Sequence, residues 1–314
     1  MTLADWIAET RENVRRHGIA AGGRMAALNF WEGVLVRAGQ RWNFGESVYE
    51  RDWDVLVVAD ACRPDLLADV ADEYEFTRGY DPAADVFTSA ASMSSEWMEK
   101  NFGAERADEV ARTAYVTGNP FSRDLDADRF ALLDEVWRYG WDDEFGGIPP
   151  RPVTDRAIAT AREGDYDRLI VHYMQPHVPF RSGEFDTGHT FDEIGDPEDH
   201  EKYVWYRVRD GEVDREAVWA AYRDNLRWVL DDVALLRSNL DADRVVLTAD
   251  HGNALGEWGC WEHPPYAPVP ALKRVPWVET TATDDGGYDP STERRDERVA
   301  DDDIEQRLSA LGYK

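Results

Sequence analysis

The residues best able to do chemistry stand at the ends of two apolar runs. Arg244-Val-Val-Leu-Thr-Ala-Asp-His-Gly252 reads as a buried strand stopping on Asp250 and His251, and Trp53-Asp-Val-Leu-Val-Val-Ala-Asp60 has the same form and stops on an acid. Burying a carboxylate beside an imidazole is costly unless something uses them, and a divalent cation is the commonest user. In an open α/β sheet ligands bind outside the carboxyl ends of the strands, so two such acids 190 residues apart can converge on one ion. A lone strand-end Asp is ordinarily a turn or a helix cap. Two of them, one followed by His, favour the metal reading.

Other reactive types fall near these ends. Tyr173-Met-Gln-Pro-His-Val-Pro-Phe180 leaves a strand abruptly, and its prolines fix an extended turn that can present Gln175 and His177. His263, in Trp261-Glu-His-Pro-Pro-Tyr266, follows the Asp250-His251 pair closely enough for its loop to fold back over the same ion. His172 lies inside the strand and reads as a buried structural histidine. Ser94 or Ser95 can cap or open the helix that continues through Trp97 and Met98. A hydroxyl there, beside a cation, has its alkoxide stabilised, and the free N–H groups of the first turn welcome phosphate or sulfate oxygens. Arg63 can clamp a substrate oxygen, with a helix-surface ion pair as the blander role.

The ordered set of Asp60, Ser94, His177 in a Pro-His-x-Pro turn and Thr-x-Asp-His-Gly at 248–252 resembles the alkaline phosphatase and sulfatase superfamily, in its sulfatase-like branch. The closing Leu308-to-Tyr313 segment is similar to the end of many sulfatase-like chains, and the likeness spans Asp52 to the C-terminus. The resemblance implies a metal held by Asp60, Asp250 and His251, with Ser94 as a nucleophile that is transiently phosphorylated. It transfers His263 to a second ion and His177 to the ester group. Gln175 stands where two-metal members carry an acid, which argues against a complete second site. The ion is Zn, Mg, Mn or Ca, as one or two ions.

Sulfatases convert a Cys or Ser within Cys/Ser-x-Pro-x-Arg to formylglycine, and Ser94-Ser-Glu-Trp-Met98 has neither the Pro nor the Arg. The expected activity is therefore that of a metal-dependent hydrolase or transferase of phosphate esters. A sulfatase and a catalytically inactive binding protein of the same fold are the alternatives. Ser92 and Ser95 are the reserve nucleophiles.

These residues need elements to position them. Further strands are expected at Arg112 to Thr117, Arg168 to Tyr173 and Arg274 to Val278. Val218, Tyr222, Leu226, Val229, Val233 and Leu236, stepping by three or four, predict a long amphipathic helix feeding the Asp250 strand. Pro64 suits the first turn of a helix begun at Arg63. Strands alternating with helices predict a mostly parallel, helix-covered sheet. Together with the resemblance this gives a three-layer α/β/α sandwich, alkaline-phosphatase-like, over residues 46–314, preceded by a helical segment at 1–45 broken near Gly18 and Gly22-Gly23. That segment packs on its own domain or meets a membrane surface or partner. The polar stretch from Phe180 to Asp214 is expected to line the substrate entrance, Thr280 to Asp303 to be exposed, and Ile304 to Tyr313 to form a closing helix.

Composition limits the partners. A formal charge of -29 over 314 residues and a pI near 4.5 exclude nucleic-acid binding by bulk electrostatics. The substrate is expected to be a small-molecule, glycan or lipid head-group phosphate or sulfate ester. Only four lysines, Lys100, Lys202, Lys273 and Lys314, stand among 35 basic residues, a skew that predicts a halophilic, archaeal host. Cys62 and Cys260 make no disulfide framework and read as small apolar fillers. Without an export signal or a run of 18 apolar residues, the expected location is cytoplasmic.

Overall fold

The computed structural model describes residues 3–164, 166–182 and 203–291. Its helices are α1 (Leu3–Arg41), α2 (Pro64–Ala68), α3 (Ser94–Asn101), α4 (Ala107–Val110), α5 (Pro150–Glu163), α6 (Val204–Arg209), α7 (Arg215–Arg237) and α8 (Pro270–Lys273). Its strands are β1 (Val55–Ala59), β2 (Val86–Thr88), β3 (Thr113–Thr117), β4 (Leu132–Glu135), β5 (Arg168–Tyr173), β6 (Ala242–Thr248), β7 (Ala254–Leu255), β8 (Trp261–Glu262) and β9 (Arg274–Ala282).

Seven strands make one sheet in the order β2-β9-β6-β1-β5-β3-β4, with β7 and β8 as a separate pair. From β6 to β4 all neighbours are parallel, and β9 runs antiparallel to β6 and β2. β1 is buried at every position, which is why its sequence is a continuous apolar run and not an alternation. Side-chain parity along β5 sorts the layers. The His172 ring packs edge-on against Trp97 of α3, while the next residue, Tyr173, turns its hydroxyl to Thr154 of α5. α5 and α7 therefore cover one face and α3 the other, so the expected α/β class with a mostly parallel, helix-covered sheet is what the chain adopts.

All six residues that predicted α7 are buried along it, and Asp214 caps its start by accepting from the Ala217 N–H. β5 falls where expected, while the strand begun at Arg274 is longer than expected. α1 departs from the reading in one respect. Its backbone leaves helical geometry at Gly18 (φ 80°, ψ 170°) but continues unbroken through Gly22 and Gly23. Beyond that break α1 packs on the body through Leu35, which joins Ala254, Cys260, Ala267, Val269 and Leu272 in a small apolar cluster. Gly39 fits there because a Cβ would lie 1.7 Å from the Tyr266 carbonyl oxygen. The segment expected to line the entrance falls partly outside the described residues, and its end forms α6. The closing helix lies wholly outside them, and the Thr280 to Asp303 stretch begins with the end of β9.

Candidate metal centre

Asp60 and Asp250 each follow a strand, and parallel pairing of Val58 with Thr248 brings the two strand ends level. Directly after Asp60 the chain turns through Ala61 at φ 60°, a left-handed conformation costly for a residue with a Cβ. That turn aims the Ala61 N–H at Asp250, whose Oδ1 accepts it at 3.1 Å together with the His251 N–H at 2.9 Å. Ser89 Oγ donates to the Asp250 carbonyl, and Asn119 Nδ2, from the loop after β3, donates to Asp60 Oδ2 at 2.8 Å. Both side chains are thus fixed by neutral donors and wholly buried. Burial alone would raise the Asp250 pKa, but His251, His172 and Ser94 outweigh it and hold the group well below the carboxylate range.

Asp60, Asp250 and His251 bring ligand atoms within 4.8 Å of one another. His251 Nδ1 lies 2.8 Å from the Gly252 carbonyl, which places the proton on Nδ1 and turns the Nε2 lone pair toward the carboxylates. Nε2 is 3.4 Å from Asp250 Oδ2 and 3.5 Å from Asp60 Oδ1. Asp250 Oδ2 has no hydrogen-bond partner. These separations are long for hydrogen bonds, whereas ligands held about 2.0–2.2 Å from a tetrahedral cation lie roughly 3.3–3.6 Å apart. The residues fit a divalent ion by donor chemistry, spacing and the orphaned oxygen.

Ser94 supplies the next corner. It is the first residue of α3, with Met93 in the cap position, and its Oγ lies 3.2 Å from His251 Nε2 and 3.3 Å from Asp60 Oδ2. Ser92 instead spends its hydroxyl on Pro264, Glu96 and Ala267. Glu96 accepts from Ser92 N, Ser92 Oγ and Tyr266 N and pairs with Lys100, tying the start of α3 to the His263 loop.

His177 and His263 stand together beside this group and outside its three-residue core. Their Nε2 atoms are 3.0 Å apart, and the His263 ring centroid lies 4.7 Å from that of His251. Burial pulls His177 down to about 4 and, with the neighbouring rings, pulls His263 well below the ordinary imidazole value, so both are neutral near pH 7. The prolyl turn that presents His177 contains cis peptides before Pro176 and Pro179. Gln175 is buried and donates its side-chain amide to the Ile148 carbonyl. Arg63 is held by Asp65, Glu257 and the Asn253 carbonyl, which matches the ion-pair reading and leaves it no role as a clamp.

Two residues of the centre escape the sequence reading. His172 is not a satisfied core histidine: Nδ1 bonds the Tyr115 hydroxyl at 2.8 Å, but Nε2 has no hydrogen-bond partner and lies 3.6 Å from Asp250 Oδ2 and 3.8 Å from Asp60 Oδ2. Asn119 is the other. Its only signal is a third polar strand end, Thr117-Gly-Asn-Pro120, on a strand in the same sheet.

No protein-family model matches the chain, and no curated protein matches it significantly. Among solved structures it is similar to the C-terminal periplasmic domain of phosphoethanolamine transferase EptC from Campylobacter jejuni, with 15% identity, 76% of this chain and 83% of that chain covered, and a TM-score of 0.44. The soluble domain of lipooligosaccharide phosphoethanolamine transferase A from Neisseria meningitidis gives 14% identity, 76% and 80% coverage, and 0.41. A protein in the alkaline phosphatase superfamily from Vibrio parahaemolyticus gives 12%, 81% and 69%, and 0.38. At likenesses this distant, the functional reading is carried by the residues of the site.

Proposed function

We propose that this chain is a metal-dependent phosphoryl-transfer enzyme of the alkaline phosphatase type, with Ser94 as nucleophile. One observation carries the reading: a buried serine on the first turn of a helix, its Oγ 3.2–3.3 Å from His251 and Asp60 of a three-residue ligand group. Asp60, Asp250 and His251 would hold the ion. When bound, it would lower the pKa of the Ser94 hydroxyl and offset charge on the ester, which also lets so acidic a protein accept an anion. Free N–H groups of the first turn of α3 face the incoming phosphoryl oxygens. Ser94 Oγ attacks phosphorus, the bond to the leaving oxygen breaks, and water or an acceptor alcohol then takes the phosphoryl group from Ser94. The neutral His177 and His263 stand beside this group with their N–H groups already bonded, His177 Nδ1–H to the Val178 carbonyl and His263 Nε2–H to His177 Nε2, so the leaving oxygen takes its proton from water.

Turnover of aryl phosphate monoesters, phosphodiesters and sulfates with added divalent metals tests this. Phosphate esters are expected to be the substrates, with Ser94→Ala losing at least about 10³-fold in kcat while retaining its metal. A Ser94→Ala protein with full activity on every ester removes the nucleophile assignment. Preference for sulfates would move the reading to the sulfatase side.

A further inference from the structure

Among the described residues eight large apolar side chains are exposed: Ile7, Ile19, Phe30, Trp31, Val34, Trp42, Phe44 and Trp258. Scattered exposed apolar residues are ordinary on a soluble surface, but these are not scattered. Seven belong to residues 7–44, and the eighth touches the same segment, since Trp31 Nε1 donates to the Trp258 carbonyl at 2.8 Å.

The arrangement follows from helix geometry. Phe30, Val34, Arg37 and Arg41, spaced four, three and four, share an outward stripe of α1, while Leu35 and Gly39 turn to the body. The stripe cannot simply rotate inward, because Gly39 is in close contact with Tyr266. Trp258 is held at φ 54°, strained for a non-glycine residue, and the residue remains 58% exposed. Strain kept in order to show an indole to solvent calls for something that the indole meets.

Charge indicates what that is. Residues 18–45 carry Arg24, Arg37 and Arg41 against one acid, Glu32, in a chain with 64 acids and 35 basic residues. All three arginines are exposed. In a chain otherwise so acidic, this net basic segment is the part that an anionic surface attracts. Aromatic rings interleaved with arginines are the composition that settles at the head-group level of a bilayer, rings buried and guanidinium groups on phosphate. No helix of the described residues is long and apolar enough to cross a membrane.

We propose that Phe30, Trp31, Val34, Trp42, Phe44 and Trp258 form a docking face for an anionic lipid surface. Trp258 lies on the loop that leads to His263, so docking places the membrane beside the loop that carries part of the candidate centre. The inference does not depend on the phosphoryl-transfer reading, because its test involves no turnover.

The full chain is mixed with phosphatidylglycerol/phosphatidylcholine vesicles, or with pure phosphatidylcholine, at about 0.1 M and about 2 M KCl, and floated on a density gradient. Flotation with the anionic vesicles is expected, persisting in part at high salt because the aromatic contacts are not screened. The Phe30→Ser/Trp31→Ser/Trp258→Ser protein is expected to float at least about tenfold less. Arg37→Glu/Arg41→Glu, which leaves every apolar contact in place, is expected to lose the preference for phosphatidylglycerol. Unchanged melting curves for both variants show that they are folded, and if the triple variant unfolds, the arginine pair carries the test alone. No flotation of the parent at either salt, or equal flotation of parent and arginine variant with the two lipids, overturns the proposal. So does a parent dimer that the triple variant converts to monomer without any vesicle binding, which would make the face a contact between copies.

Discussion

His172 lies against both carboxylates of the candidate centre without reaching hydrogen-bond distance to either. With the Tyr115 hydroxyl donating to Nδ1, the ring proton sits on Nε2 and faces both Oδ2 atoms. With an ion held by Asp60 and Asp250, His172 is expected to act as a positioning residue, its N–H facing the two like charges. Partners of this kind typically contribute 10–100-fold to metal affinity. His172→Ala is therefore expected to weaken zinc binding by about that factor, and Tyr115→Phe by less, measured by competition with a chromophoric chelator. Unchanged affinity in His172→Ala would reduce the residue to core packing. Asp60, Asp250, His251 and Ser94 were legible in the sequence because each sits at a strand end or helix start, positions that composition marks. His172 and Asn119 were not. Their importance comes from the register of β5 between β1 and β3, which pairs His172 with Val58 and with Thr117, and one chain's periodicity does not encode register across strands.

Among the elements, α3 has the most demanding placement, since its first residue must stay within 3.3 Å of Asp60 and His251. Glu96 is its anchor. Burial alone would raise the Glu96 pKa, but Lys100 and the backbone N–H groups of Ser92 and Tyr266 hold it below the ordinary value of 4.5. A depressed acid stabilises the fold fully above its unfolded pKa, and that contribution is lost as pH falls through the folded one. Glu96→Ala is expected to cost about 2–3 kcal/mol at pH 7, with the difference from the parent narrowing under acid below pH 4.5. Urea unfolding at several pH values measures it, and a penalty constant with pH would show that the loss is packing and not charge. The elements missed by the sequence reading were hidden for two reasons. β2 is three residues long and β4 is Leu132-Leu-Asp-Glu135, edge strands at either end of the sheet, formed through pairing with β9 and β3 and lacking a pattern of their own. α5 opens with Pro150-Arg-Pro152, which reads as a loop, and it buries Asp155 and Arg156, whose charges hide its inner face. α7 and β1 were legible because each carries its whole burial pattern in its own residues.

For the whole molecule the governing quantity is the charge of -29. Many arginines are committed to carboxylates, as in Arg227 with Glu73, Arg181 with Asp224 and Arg162 with Asp284, so the surplus acid remains as self-repulsion. At about 1 M salt the Debye length falls to about 3 Å and that repulsion is screened. The expected outcome is a Tm that rises by roughly 10 °C or more between about 0.1 M and 2 M KCl, with sulfate and chloride salts compared to separate screening from salting-out. A Tm indifferent to salt sinks the halophilic reading.

The pairing of Val58 with Thr248 also has a consequence in time. Translation at about 5–20 residues per second separates the appearance of Asp60 from that of Asp250 by roughly 10–40 s. Throughout that interval β1 has an open edge where β6 will lie, on the most apolar strand of the sheet. The nascent chain must keep that edge from pairing with another molecule until its last parallel strand has been made, and α7, synthesised just before β6, is the element that delivers it.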